Sequence, residues 1–317
     1  MKHHIIMIIK GLNQLSSPLN FKSMKSHYAI FFILTIPLFL SSCTSEIKHT
    51  SSNSILIGTF NIAWLGDGIS DNISRNEPDY KRIADIITAS GVDLLGVEEI
   101  ENPSAIEKVM KYLPDFKYYL SNSGGVQNVG ILYKRDILLS DSKDYLPLVV
   151  EPNKTRPGIT AQVKSGNFDF IIMVVHLKST SSYDSTEELK LHSYQIRNRQ
   201  SKLISDWADS IFSTSKEKDI VIVGDFNDSP TRNNCYITPL AENSNLTLLS
   251  QNIMSCKFQY AGSIDHIVTS RSVLSRYITN SIHLYDIYSA YNANEIELIS
   301  DHCPLIATFK VSDKDTD

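Results

Sequence analysis

The sequence predicts an α/β domain in which a mixed sheet, or two stacked sheets, carries helices on the outside. Short apolar runs of strand length recur along the chain, amphipathic helical stretches alternate with them early, and strand signals crowd together between 117 and 176. A purely parallel fold would keep alternating to its end.

Taken in order, Ile55–Ile62 and Val92–Val97 read as strands on either side of a helix over Pro78–Ser90. That helix carries Ile83, Ile86 and Ile87 on one face and stops at Gly91. Pro103–Leu113 reads as a second helix, with proline in its first turn. Val129–Tyr133 and Phe168–Val175 read as further strands. Ser185-Thr186-Glu187-Glu188 has the form of a capping box and opens a long helix towards Phe212. Ile220–Val223, Ile264–Val268 and Leu305–Val311 complete the set.

Ahead of these elements lies a targeting segment. Tyr28–Leu40 is a nearly continuous apolar run of thirteen residues, preceded by Lys22 and Lys25. It falls short of the ~20 residues that span a bilayer core. It ends in Leu40-Ser41-Ser42-Cys43, which resembles a bacterial lipobox with Cys43 as the lipidated residue. The expected organisation is a leader over 1–42 (its true start at Met24 is an alternative), a tether over 43–54, a domain over 55–311 and a polar tail over 312–317. A monomer bound to the cell envelope by its lipid follows.

Losing the four lysines of the first 42 residues takes the net charge from −5 to −9. So acidic a domain lacks the broad basic footprint of a tight nucleic-acid binder, and a polyanionic substrate has to be held locally. An exported chain permits disulfides, and Cys235–Cys256 is the expected pair because both lie in a polar, looped stretch. Cys303 reads as a small buried filler.

The chemistry-bearing residues stand within or just after the apolar runs, where a buried strand surfaces. Asp225 and Asn227 follow Ile220–Gly224 and, two apart on extended chain, aim at one spot. A carboxylate and an amide together suit a hard cation. Glu99 ends the segment from Asp93, and Asn61 interrupts an apolar strand in Thr59-Phe60-Asn61-Ile62. His176 ends Ile171–Val175; His302 follows Asp301 and precedes Cys303-Pro304. Asp265, in Ile264-Asp265-His266, can orient an imidazole, and Arg156 offers a planar fork to phosphate. Singly, each has an ordinary structural reading: an Asx turn, a solvated loop, a buried tie between loops, a strand-end histidine. Their joint occurrence in this order does not.

Together the motifs resemble those of the endonuclease/exonuclease/phosphatase superfamily, the group that includes pancreatic-type deoxyribonuclease. They are Thr59-Phe60-Asn61-Ile62, the Asp93–Glu99 segment, Val175-His176-Leu177, Gly224-Asp225-Phe226-Asn227, Ile264-Asp265-His266 and Ser300-Asp301-His302, and they cover residues 55–311. The resemblance implies a four-layered α/β sandwich of two mixed sheets packed face to face, with helices outside. It implies a divalent metal, magnesium before manganese or calcium, on Glu99 with Asn61 and Asp301. Asp225 and Asn227 would hold the attacking water and the scissile phosphate. His302 paired with Asp265 would activate water or stabilise the transition state, His176 would contact phosphate or protonate the leaving oxygen, and Arg156 would contact phosphate. The chain departs from the deoxyribonuclease pattern at Gln127-Asn128, where a Glu partners the histidine matching His176. It departs again at Glu98, which replaces a common Gln and adds a negative charge.

The function expected is therefore metal-dependent phosphodiester hydrolysis by an exported nuclease acting on DNA or RNA, with Lys178, Lys190, Arg197 and Arg199 lining one rim. The alternatives are a phosphatase or phosphodiesterase acting on a phospholipid or small phosphoester, and a non-catalytic binding lipoprotein.

Overall fold

The computed structural model describes residues 53–315; the leader, Cys43 and all of the tether before Asn53 lie outside the described residues. Twelve strands form two sheets of six. In chain order they are β1 (Ser54–Leu65), β2 (Leu94–Ile100), β3 (Phe116–Leu120), β4 (Asn128–Lys134), β5 (Leu138–Tyr145), β6 (Gly158–Ser165), β7 (Phe168–His176), β8 (Ile220–Asp225), β9 (Leu246–Leu248), β10 (Asp265–Ser270), β11 (His283–Leu284) and β12 (Leu305–Lys310). The helices are α1 (Glu77–Ala89), α2 (Pro103–Met110), α3 (Glu187–Thr214), α4 (Thr238–Ala241), α5 (Ile287–Ala290) and α6 (Ala293–Ile299). One sheet runs β11-β12-β1-β2-β4-β3 and the other β5-β6-β7-β8-β10-β9.

Each sheet is antiparallel except at its centre, where β1 lies parallel to β2 and β7 parallel to β8. A parallel pair needs a long crossover, which α1 and α3 supply. Ile83, Ile86 and Ile87 of α1 pack on Leu95 and Val97 of β2, and Ile204 and Ala208 of α3 belong to one core with Met173, Val175, Ile220 and Ile222. Between the sheets, Ile55, Ile57, Leu94, Ile172, Val174, Val221, Val223, Ile267 and Leu305 form the central core. The result is four layers: helix, sheet, sheet, helix.

Two glycines allow close approach, Gly96 between the sheets and Gly224 between neighbouring strands of one sheet. A Cβ on Gly96 would lie 2.8 Å from Val223 and 2.9 Å from Val174 of the facing sheet. Gly224 has φ +151°, and a Cβ there would meet the Val175 carbonyl at 1.9 Å. The neighbouring strand is thus what comes close at Gly224.

The α3 cap sits one residue later than the capping-box pattern suggests, since the Thr186 side chain accepts from the Leu189 N–H. Strands β5 and β6 went unread in the sequence because neither is an apolar run: β5 (Leu138–Tyr145) is largely polar with no buried residue, and β6 (Gly158–Ser165) mixes Gly, Thr, Gln and Lys with its apolar residues. The polar tail packs against the domain as far as it is described, Asp315 pairing with Arg276 at 2.9 Å.

Candidate active site

Strand alternation builds the site. Along β1, Ile55 and Ile57 face the inter-sheet core, and Thr59 and Asn61 continue the same face. Along β8, Val221 and Val223 lead to Asp225; along β7, Ile172 and Val174 lead to His176; along β10, Asp265 precedes Ile267. The central core therefore turns polar at one end, where the parallel pairs β1–β2 and β7–β8 finish. Register confirms the alignment: Asn61 lies opposite Glu98, His176 opposite Asp225, and Asp225 opposite Asp265.

The alternation breaks at Glu99, whose φ of +64° is one of four positive non-glycine values beside the site, with Ala63 (+42°), Trp64 (+55°) and Asn227 (+54°). Backbone outside its comfortable regions costs on the order of 1–3 kcal/mol per residue and tends to gather at functional sites. Here it turns Glu99 out of the strand, and the Trp64 N–H holds its carboxylate at 3.0 Å. Glu98 stays in line and is wholly buried, one oxygen accepting from the Thr59 hydroxyl at 2.7 Å and the other without a partner. Burial pushes the Glu98 carboxyl well above the usual range. Burial thus disfavours the extra negative charge expected at this position.

Glu99 and Asp225 converge. The Asn61 amide nitrogen donates to both, at 3.3 and 3.1 Å, and His176 Nε2 lies 3.7 and 3.6 Å from them. Burial holds the His176 imidazole well below its ordinary range, with Arg156, His302 and Lys178 adding to the effect, so it is neutral. Burial also pushes Asp225 up to about 7, with His302 opposing and Asp265 and Glu99 reinforcing. The Asp225 Oδ1 accepts the Asn227 N–H at 2.7 Å, and the Asn227 amide donates to the Leu177 carbonyl at 3.1 Å.

Beside them His302 Nδ1 sits 2.9 Å from both Asp265 oxygens, and Nε2 faces Asp225 Oδ2 at 3.9 Å. Burial works against a charge on His302, but Asp265, Asp225 and Asp301 outweigh it and raise the imidazole well above its usual value. Arg156 is fixed by Gln127 at 2.7 Å. Gln127 thus serves the arginine, and His176 Nδ1 has no partner in the structure.

Asp301 lies beside His302, its carboxylate 3.8 Å from Nε2. Its side chain is 53% exposed and pairs with Lys257 at 3.0 Å, at the lip of the site. Asn61 presents nitrogen to the carboxylates because its oxygen takes the Ala63 N–H. Donors for a hard divalent cation are nevertheless gathered here: the Glu99 and Asp225 carboxylates flank the Asn61 amide, and Asp225, Asp265 and His302 each offer a ligand atom within 4.8 Å of the others.

Three expectations are corrected. The disulfide joins Cys256 to Cys303, and Cys235 is free. Cys303, buried as expected, is therefore a crosslink more than a filler, and ties the His302 segment to the loop carrying Lys257. Spacing could not reveal this, because the partners lie 47 residues apart on separate loops. Arg197 is not a rim residue: it is 1% exposed and paired with Asp228. Lys257, on a loop, and Trp64, near the end of β1, are site neighbours with no sequence signal of their own, and Gln127, noted in the sequence only as a departure, turns out to hold Arg156. Cys256→Ser is expected to cost roughly 2–4 kcal/mol of stability, checked by urea unfolding; an unchanged midpoint would show the crosslink to be idle.

A family model described as the Endonuclease/Exonuclease/phosphatase family matches residues 58–302. Among solved structures, the chain is similar to D. rerio TDP2 complexed with a single-strand DNA product at 15% identity, covering 82% of this chain and all of that one, with a TM-score of 0.61. It is also similar to the human Nocturnin catalytic domain, at 15% identity, 81% and 94% coverage and a TM-score of 0.57. A mannosyl-6-phosphatase of Bacteroides thetaiotaomicron shares 16% identity, with 80% and 98% coverage and a TM-score of 0.55. At such identities the likeness extends to the fold. No match is found among curated proteins.

Proposed function

Because the chain belongs to the endonuclease/exonuclease/phosphatase family, whose members hydrolyse phosphoesters, we propose that it is a metal-dependent phosphodiesterase acting on nucleic acid. The observation that carries this reading is the meeting of Glu99, Asp225 and the His302–Asp265 pair at one end of the inter-sheet core. Glu99, joined by Asn61 after an amide flip and by Asp301, would hold magnesium (or manganese or calcium), and when bound the ion would neutralise charge gathering on the phosphoryl oxygens.

The chain's own groups do the rest. Asp225, buried and oriented by the Asn61 and Asn227 donors, takes a proton from the attacking water. Asn227 and Arg156 hold the phosphate in line. His302, kept charged by Asp265, stabilises the extra negative charge of the pentavalent state. Neutral His176 donates to a phosphate or leaving oxygen.

The test is hydrolysis of plasmid DNA, RNA, bis-p-nitrophenyl phosphate and p-nitrophenyl phosphate by the purified protein with magnesium. Cleavage of DNA or RNA supports the nuclease reading. Turnover of the small esters alone, with both nucleic acids intact, would move the assignment to a phospholipid or small-molecule phosphoesterase, and silence on all four to a binding lipoprotein.

The leader adds a location to this proposal: a bacterial envelope, through lipid on Cys43. Labelled palmitate should enter the wild-type protein and not Cys43→Ser; equal labelling of both would refute the anchor.

A further inference from the structure

Among the described residues four aromatic side chains are exposed: Trp64 (37%), Tyr183 (90%), Phe258 (47%) and Tyr260 (85%). All four lie at the end of the molecule that carries the site. Trp64 ends β1, Tyr183 lies between β7 and α3, and Phe258 and Tyr260 lie between β9 and β10. Solvent-facing rings gathered at one rim mark a contact surface.

Two depressions meet over the catalytic carboxylates, sharing Trp64, Glu99 and Ser179. One, of about 560 Å³, is lined by Lys154, Arg156, Lys178 and Tyr183. The other, of about 760 Å³, reaches Asp225, His302 and Lys257. Lys257 Nζ lies 5.3 Å from the Phe258 ring centre, and Phe258 and Tyr260 are 6.0 Å apart. The Cys256–Cys303 disulfide fixes this aromatic loop to the residue after His302. The two depressions form one trough crossing the site, with Trp64 and Tyr183 in the wall of one arm, Lys257 in the wall of the other with Phe258 and Tyr260 next to it in the chain, and lysines that each sit beside an acid.

We propose that this trough holds a single unpaired nucleic-acid strand. Tyr183 stacks a base on one side of the scissile phosphate, and the Phe258–Tyr260 pair stacks bases on the other. Cations following a backbone, with aromatic faces for successive bases, make up the pattern of single-strand binding. A duplex keeps its base faces stacked away from such rings. Ile69, Val126 and Met254 are exposed at the same end, which makes a lipid surface the competing occupant. The charge favours the strand: a phospholipid brings one phosphate, which Arg156 takes at the site, whereas Lys154 and Lys178, each beside one acid (Glu151 at 3.1 Å, Asp184 at 3.7 Å), line an arm that extends beyond it.

This inference rests on the nuclease reading, and the experiment separates the two. The full chain is offered a short mixed-sequence DNA strand, the same strand annealed to its complement, bis-p-nitrophenyl phosphate, and phosphatidylglycerol–sphingomyelin vesicles. The free strand should be cut at least ~10-fold faster than the duplex. Tyr183→Ala and Tyr260→Ala should each lower the ratio of strand to small-ester kcat/KM by roughly 5- to 100-fold, with Tyr183→Phe restoring it. Equal cutting of strand and duplex, or a ratio unmoved by both alanines, overturns the stacking proposal while leaving a nuclease. Turnover of the small ester with every DNA intact overturns both readings, and hydrolysis of vesicle lipid with DNA intact assigns the rim to a lipid surface.

Discussion

Glu99→Gln is expected to lower kcat by at least ~100-fold and to melt no lower than the wild type. Glu99 is held out of its strand by a positive φ and by the Trp64 N–H, and its carboxylate shares the Asn61 amide with Asp225. The glutamine retains an oxygen for the Trp64 N–H and removes one of two converging negative charges. Activity should fall while repulsion in the apoprotein also falls, the trade expected where function opposes stability. Steady-state rates and thermal melts check it together. A variant with near-normal kcat would remove Glu99 from the chemistry, and one melting well below the wild type would give it a structural role. His302→Ala should lose activity to a similar extent but also lose stability, because it leaves Asp265 buried without its cation.

The second large effect falls outside the site. Asp228→Ala is expected to destabilise the fold by about 3–5 kcal/mol, because it strands a buried guanidinium. Asp228 is 0% exposed and accepts the Ser229 and Tyr236 N–H groups at 2.9 and 2.8 Å. Arg197 lies 3.3 Å from it and donates to the Lys178 carbonyl and the Thr180 hydroxyl, at 2.8 and 3.1 Å. The pair ties the loop after β7 to the loop after β8, so Lys178 and Asn227 depend on it for their positions. Urea unfolding measures the loss. The double variant Arg197→Met with Asp228→Leu should be more stable than Asp228→Ala, since it leaves no buried charge unpaired. An Asp228→Ala midpoint equal to wild type would show that solvent reaches the pair.

Much of this was legible in the sequence, for identifiable reasons. The central strands are buried on both faces and read as uninterrupted apolar runs, so β1, β2, β7, β8, β10 and β12 were visible, and so were the polar residues that break or end them. Alternation then explains why Asn61, Asp225, His176 and Asp265 meet. Strand β5 buries no residue, β6 interleaves polar with apolar residues, and β3 is short, which weakened their signal. Long-range pairings were not legible at all. Cys256–Cys303, Arg197–Asp228 and Arg156–Gln127 each join segments distant in the chain, and nothing in local composition distinguishes a buried Arg197 from the solvated Arg199 two residues on. The positive φ of Glu99 likewise arises from the bulge between Val97 and Ile100 and leaves no trace in residue type.

The most direct test is hydrolysis of bis-p-nitrophenyl phosphate by the wild-type protein before chelation, after chelator and dialysis, and after magnesium is restored. The account predicts loss of turnover with the fold intact by circular dichroism, recovery on adding magnesium, and no recovery for Glu99→Gln at the same concentration. Full turnover after exhaustive chelation would contradict it, because the convergence of Glu99 and Asp225 would then have no cation to serve.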